Sequence, residues 1–130
     1  MKIGLIAGIL VCFGLLAYPG DEESRLEGNW RGDSLCVADR SACRDEKVVY
    51  RIAKIPGKPD RLAITGDKIV NGSPITMGTL EFQYDRDKHS LVCEYSQGVW
   101  RLKVNGNAMD GTLTRPDHTV FRRVTLKKED

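Results

Sequence analysis

The chain has 130 residues, with 20 basic and 18 acidic side chains, a formal net charge of +2 and four cysteines. A chain of this size builds one domain around one core. Its basic residues are scattered rather than striped, which gives no support to a nucleic-acid groove or an anionic membrane surface as partner.

At the start, Lys2 precedes an unbroken run of apolar and small residues from Ile3 to Ala17. A short basic head, an apolar stretch and a small residue at its end read as a signal peptide over residues 1–20, cut after about residue 17–20. Leu15 and Tyr18 occupy the −3 positions of cuts after Ala17 and Gly20, so neither site is ideal. The apolar run is shorter than the roughly 20 residues that cross a bilayer as a helix, so no membrane span is expected after cleavage. An uncleaved anchor is the alternative; a lipid on Cys12 is disfavoured by bulky Val11 before it. The body is therefore expected in a secreted or periplasmic compartment. Residues 21–27 read as a polar spacer, and although Ser24-x-x-Glu27 fits a capping box, no helical periodicity follows it.

Without the leader three cysteines remain. Cys36 and Cys43 flank a polar stretch, Val37 to Ala42, and in an oxidising compartment this spacing suits a disulfide closing the loop between the first two strands. Cys93 shares a face with Leu91 and Tyr95 and reads as a buried filler. The rival arrangement pairs Cys93 with Cys36 or Cys43. No metal site is expected, because His89 and His118 stand alone and the early cysteines lack a matching pair.

From residue 28 onward, short β-rich runs alternate with turn residues every eight to twelve positions, the pattern of a sandwich or barrel. The runs are about 28–36, 46–55, 61–65, 68–71, 76–84, 89–95, 99–104, 108–114 and 119–127, the third and fourth open to forming one bent hairpin. Every connection is short, which favours antiparallel neighbours. The expected fold is all-β: a single antiparallel meander over residues 28–127 closed into a small barrel of 8–9 strands, with residues 128–130 as a tail. The firmest hairpin is Val99 to Leu113. Asn105-Gly106 suits a type I′ turn, which predicts Leu102 opposite Met109, and Trp100 opposite a Gly111 that leaves room for its indole. Trp100, Leu102, Val104, Met109 and Leu113 then share one face. In the last run Arg122 is in phase with Val120, Val124 and Leu126, where a charge needs a partner or an aromatic surface.

Gly28-Asn29-Trp30 at the head of the first strand, the meander, and Arg122 on the closing strand together resemble the lipocalin-like (calycin) barrels. The resemblance carries onto Gly28, Trp30 and Arg122. It implies that Trp30 plugs the closed end of the barrel and that Arg122 packs across it, both as structural residues. The chain also resembles small exported bacterial proteins. Neither likeness implies a particular ligand.

No catalytic constellation stands out, and no enzyme activity or cofactor is expected. Ser34 lacks a nucleophile elbow, and His89 and His118 sit in turn contexts. Asp45 and Glu46 are adjacent on a strand and point to opposite faces. Asp85 and Asp87 flank a turn with too few acidic ligands for calcium, and Asn71-Gly72-Ser73 is a formal glycosylation sequon followed by Pro74. The first functional expectation is an exported monomeric binding module taking a small apolar molecule in a shallow cup. The candidate inner wall is Tyr50, Phe82, Tyr84, Tyr95, Trp100 and Met109, with Leu80 and Leu102 beside them. The alternative is an envelope or secreted interaction protein with a filled core. It would meet an extracytoplasmic protein through its surface and the 36–43 loop, with Asp39, Arg40, Arg44, Asp45 and Glu46 as recognition residues.

Overall fold

Eight strands follow one another in chain order, each antiparallel to the next, and the last pairs with the first to close a barrel. In this computed structural model, residues 21–38 and 42–130 are described. The leader expected at 1–20 and the loop positions Asp39 and Arg40 lie outside them. The elements are α1 (Asp21–Leu26), β1 (Gly28–Cys36), β2 (Glu46–Ile55), β3 (Lys58–Val70), β4 (Ser73–Asp85), β5 (Ser90–Tyr95), β6 (Gly98–Asn105), β7 (Ala108–Thr114) and β8 (Val120–Lys128).

Alternation along the strands builds the core. Trp30, Val48, Leu62, Leu91 and Leu102 are fully buried, with Met109, Val124 and Leu126 almost so. Where β1 meets β8 the backbones run so close that a Cβ at Gly32 would lie 1.8 Å from the Thr125 carbonyl oxygen. A glycine at that point lets the sheet close on itself, and closure removes the free edges that would template aggregation.

The two ends of the barrel differ. Between β2 and β3, β4 and β5, and β6 and β7 the chain turns at one end, and α1 lies across that end. Residues 21–27 are thus not a plain spacer. The helix turns Glu23 and Leu26 inward, and the Trp30 indole Nε1 donates to the Leu26 carbonyl at 2.9 Å. Arg86 grips the Glu23 carboxylate with two hydrogen bonds, Nε at 3.0 Å and Nη2 at 3.1 Å. Tyr84 Oη donates to Glu22 Oε1 at 2.8 Å. Six residues are too few to show a helical period or to hold a helix alone; these tertiary contacts hold it. Acidic residues in its first turn suit the positive end of the helix dipole.

Three further expectations are corrected by the register. The runs 61–65 and 68–71 form one strand, β3, and Gly66-Asp67 is a bulge rather than a separator, with Gly66 opposite Gly78, Asp67 opposite Thr76, and Met77 as the extra residue. Asp67 clamps it, accepting from Arg51 at 3.1 Å and from the Thr76 hydroxyl at 2.8 Å. In the β6–β7 hairpin the central residues are Gly106 and Asn107, and Asn105 pairs with Ala108. Positive φ falls on Gly106 (+62°) and not on Asn107, so glycine serves as the first central residue of a type II′ turn. Trp100 therefore faces Leu113, and Gly111 faces Leu102. Each partner moves by two places, which preserves the face, so the inward set is as expected. The Asn-Gly pair with two positive φ values, +52° and +82°, is Asn71-Gly72 between β3 and β4.

The third correction concerns Arg122. Across the β1–β8 seam, Trp30 pairs with Lys128 and Cys36 pairs with Arg122. Six residues of strand, roughly 20 Å, separate the two pairs. Arg122 does not cover Trp30; it stands at the opposite end. The Lys128 ammonium reaches the Arg25 carbonyl beside the plug instead.

Candidate functional site

The end remote from α1 holds an open cup of about 450 Å³. Its walls come from the outer halves of the strands. Tyr50, Phe82, Tyr95 and Trp100, four of the expected inner-wall residues, line it, as does Leu80. Tyr84 and Met109 do not. Tyr84 is bonded to Glu22 at the helix end, and Met109 lies in the packed core opposite Val104 and Leu126. The bulge in the β3–β4 hairpin adds Gly66, Met77 and Gly78 to the lining, and Ile64, Leu113 and Phe121 complete the apolar part.

Beside the cup the wall is weakly seamed. β4 pairs with β5 only through Gln83, Tyr84 and Asp85, so Ser73 to Phe82 makes no ladder pairs with β5. Cys93 lies near this seam, buried and unbridged. Burial pushes its thiol up, and the Glu81 charge adds to the shift.

A cluster of polar groups lines one wall. Arg122 Nη1 donates to Ser34 Oγ at 3.0 Å and to the Ser34 carbonyl at 3.3 Å, while Nη2 donates to the Arg44 carbonyl at 3.0 Å. The guanidinium so ties the ends of β1 and β2 where they enter the disulfide loop, and it lies 5.6 Å from the Phe121 ring centre. Ser34, 1% exposed, shares a hydrogen bond with the Tyr50 hydroxyl. Glu46 Oε1 stands 3.8 Å from Arg122 Nη1. Burial, reinforced by the Glu46 charge, raises the Tyr50 hydroxyl far above the usual tyrosine range, so Tyr50 stays neutral. Tyr50 and Trp100 meet edge to face, their centroids 6.3 Å apart. The Trp100 N–H bonds to the Tyr95 hydroxyl, and burial raises Tyr95 despite that bond.

The family resemblance makes Arg122 structural, and nothing in the sequence marks Ser34, Glu46, Met77 or Phe121 for the cup. For Arg122, its phase with three aliphatic residues does put it inside the barrel. The Cys36–Cys43 disulfide forms as the spacing suggested. Of the loop residues named for recognition, Asp45 is engaged inward, accepting from the Cys36 backbone N–H at 2.8 Å, and Glu46 faces the cup. Asp85 closes its own turn by accepting from the backbones of Asp87 and Lys88. His89 lies 3.4 Å from Tyr84 Oη and 3.5 Å from Glu22 at the helix end, remote from the cup. No group of three metal-ligating side chains occurs among the described residues.

No family model matches the chain, and no curated protein matches it. Among solved structures, the siderocalin Ex-FABP, described as functioning through dual ligand specificities, matches with a TM-score of 0.56 and 14% sequence identity. The match spans 82% of this chain and 74% of that one. At this identity the likeness carries architecture alone. With a closed antiparallel barrel of eight strands in chain order, the fold of this protein is lipocalin-like.

Proposed function

We propose that the protein is a binding module that takes one small, largely apolar ligand into the cup, and that it acts outside the cytosol as a monomer without catalysing a reaction. The observation that carries this reading is the cavity of about 450 Å³ bounded by aromatic walls. A filled interior would have favoured recognition through the surface. The volume lies within the range of small-molecule sites, and a mostly apolar lining with a few convergent polar groups is their usual character. The Cys36–Cys43 bridge and the leader-like first 20 residues support export to an oxidising compartment.

The test is titration with N-phenyl-1-naphthylamine, a neutral fluorescent aromatic. Saturable one-site enhancement on the folded monomer is expected. A Cβ at Gly66 would meet Met77 and Tyr50 at ordinary contact distance, 3.5 Å. Gly66→Leu should therefore fold, project into the cup and abolish the enhancement. Absence of a saturable signal on the unaltered protein, or an undiminished signal in Gly66→Leu, would sink the reading.

A further inference from the structure

The cup contains one cationic and one anionic side chain, and they stand in an unusual relation. Arg122 Nη1 and Glu46 Oε1 are 3.8 Å apart. That is close enough for each to balance the other's charge and too far for a hydrogen bond between them. Both are largely shielded, their side chains 14% and 21% exposed. The Glu46 carboxylate accepts no hydrogen bond among the described residues, so its acceptor capacity is unspent. Arg122 makes three hydrogen bonds, to Ser34 Oγ and to two carbonyls. A guanidinium has five N–H groups, so two donors remain.

We infer that the cup selects ligands whose polar head is uncharged and both accepts and donates hydrogen bonds, of the primary carboxamide class, on an aromatic or aliphatic body. This rests on the binding reading above and names the ligand class of the same site. A carboxylate entering the cup would meet Arg122 favourably and Glu46 unfavourably at nearly the same distance. An ammonium would meet the reverse. Each would also lose its hydration on entering a mostly apolar space, a cost that only a clear excess of opposite charge offsets. Tyr50, held neutral, adds no charge to tip the balance. A carboxamide loses far less hydration. Its carbonyl accepts from a donor that Arg122 still holds, on Nε or Nη2, while its N–H group donates to the Glu46 carboxylate. The body then lies against Trp100 and Tyr95, whose polar atoms already bond to each other.

Three ligands sharing one ring system separate the possibilities: 1-naphthylacetamide, 1-naphthylacetate and 2-(1-naphthyl)ethylamine, each competing with N-phenyl-1-naphthylamine near neutral pH. The amide should bind at least tenfold more tightly than either charged analogue. Glu46→Gln removes the negative charge and leaves Arg122 unbalanced, so it should narrow or reverse the amide-over-acetate preference by about tenfold, both competitors being measured on the same variant. An acetate or amine that equals the amide on the unaltered protein overturns the inference and leaves the cup reading intact. So does probe binding that none of the three displaces, or an unchanged preference in Glu46→Gln. Failure of the neutral probe itself overturns the cup reading.

Discussion

The two ends of the barrel use the same side-chain types for different purposes. At the helix end an arginine, a glutamate, a tyrosine and a tryptophan (Arg86, Glu23, Tyr84 and Trp30) are tied together through hydrogen bonds that involve α1. At the open end Arg122, Glu46, Tyr50 and Trp100 surround a cavity of about 450 Å³. What differs is the cover. α1 supplies Leu26, Glu22 and Glu23 to finish the hydrogen bonds of one end. Nothing comparable lies over the other among the described residues. The chemistry of a residue thus says less about its role than which end of its strand it occupies.

The largest expected effect tests this contrast directly. Trp30 is fully buried, and Trp30→Ala should cost about 3–5 kcal/mol in denaturant unfolding, the range for deleting a buried aromatic side chain. Trp100 is half-buried and borders the cup, so Trp100→Ala should cost less than half as much while weakening probe binding strongly. Equal losses would show that the cup wall is as tightly packed as the plug.

Next comes the disulfide, which steadies the open end where no helix does. Its partners are seven residues apart in sequence. Loop-closure entropy for so short a loop amounts to about 2–3 kcal/mol. The paired replacement of Cys36 and Cys43 by serine should lower the melting temperature by several degrees. Because Arg122 bonds to the Ser34 and Arg44 carbonyls beside the loop, the same change should also loosen the cup, read as weaker binding of the neutral probe. An unaltered melt would show that the loop is held by its backbone bonds alone.

The matched glutamates give a finer comparison. Glu23 is 2% exposed and receives two charge-assisted hydrogen bonds from Arg86. Glu23→Gln retains the shape but sets an amide NH2 against one guanidinium donor and weakens the bond to the other, an expected loss of about 1.5–3 kcal/mol. Glu46 makes only a long ion pair and accepts no hydrogen bond among the described residues, so Glu46→Gln should cost less stability than Glu23→Gln. Its effect should appear in ligand preference instead. A substantial stability loss in Glu46→Gln would identify the open-end pair as structural.

These contrasts also explain which features could be read from the chain. Alternation and short connections sufficed for the meander, and the spacing of Cys36 and Cys43 sufficed for the bridge. Alternation distinguishes inside from outside but carries no height along the barrel. Tyr84 and Met109 are correctly inward yet lie below the cup, and Arg122 is inward yet far from Trp30. Height is set by register, and register depends on turn placement: Asn105-Gly106 was displaced by one residue from the turn it formed, and the Gly66-Asp67 bulge read as a break. The helix α1 escaped notice because its stability lies in contacts with residues some sixty positions away, such as Tyr84 and Arg86.

The smallest expected effect concerns Tyr50 and Tyr84, one from each end. Both hydroxyls are raised well above the usual value, Tyr50 by burial and the Glu46 charge, Tyr84 by burial and then by its hydrogen bond to Glu22. In the unfolded chain tyrosines ionise near pH 10. Above about that pH the unfolded state holds fewer protons than the folded state, so stability falls as pH rises; below it the two states hold their tyrosine protons equally and these groups add no slope. Ultraviolet titration of the folded protein should therefore show late-ionising tyrosines, with stability declining in parallel. Tyr84→Phe should cost about 1 kcal/mol at neutral pH through the lost bond to Glu22 and flatten that decline. Ligand in the cup should delay Tyr50 further and leave Tyr84 unmoved, since only Tyr50 borders the cavity. Equal shifts at both tyrosines would mean that the two ends are not separate environments.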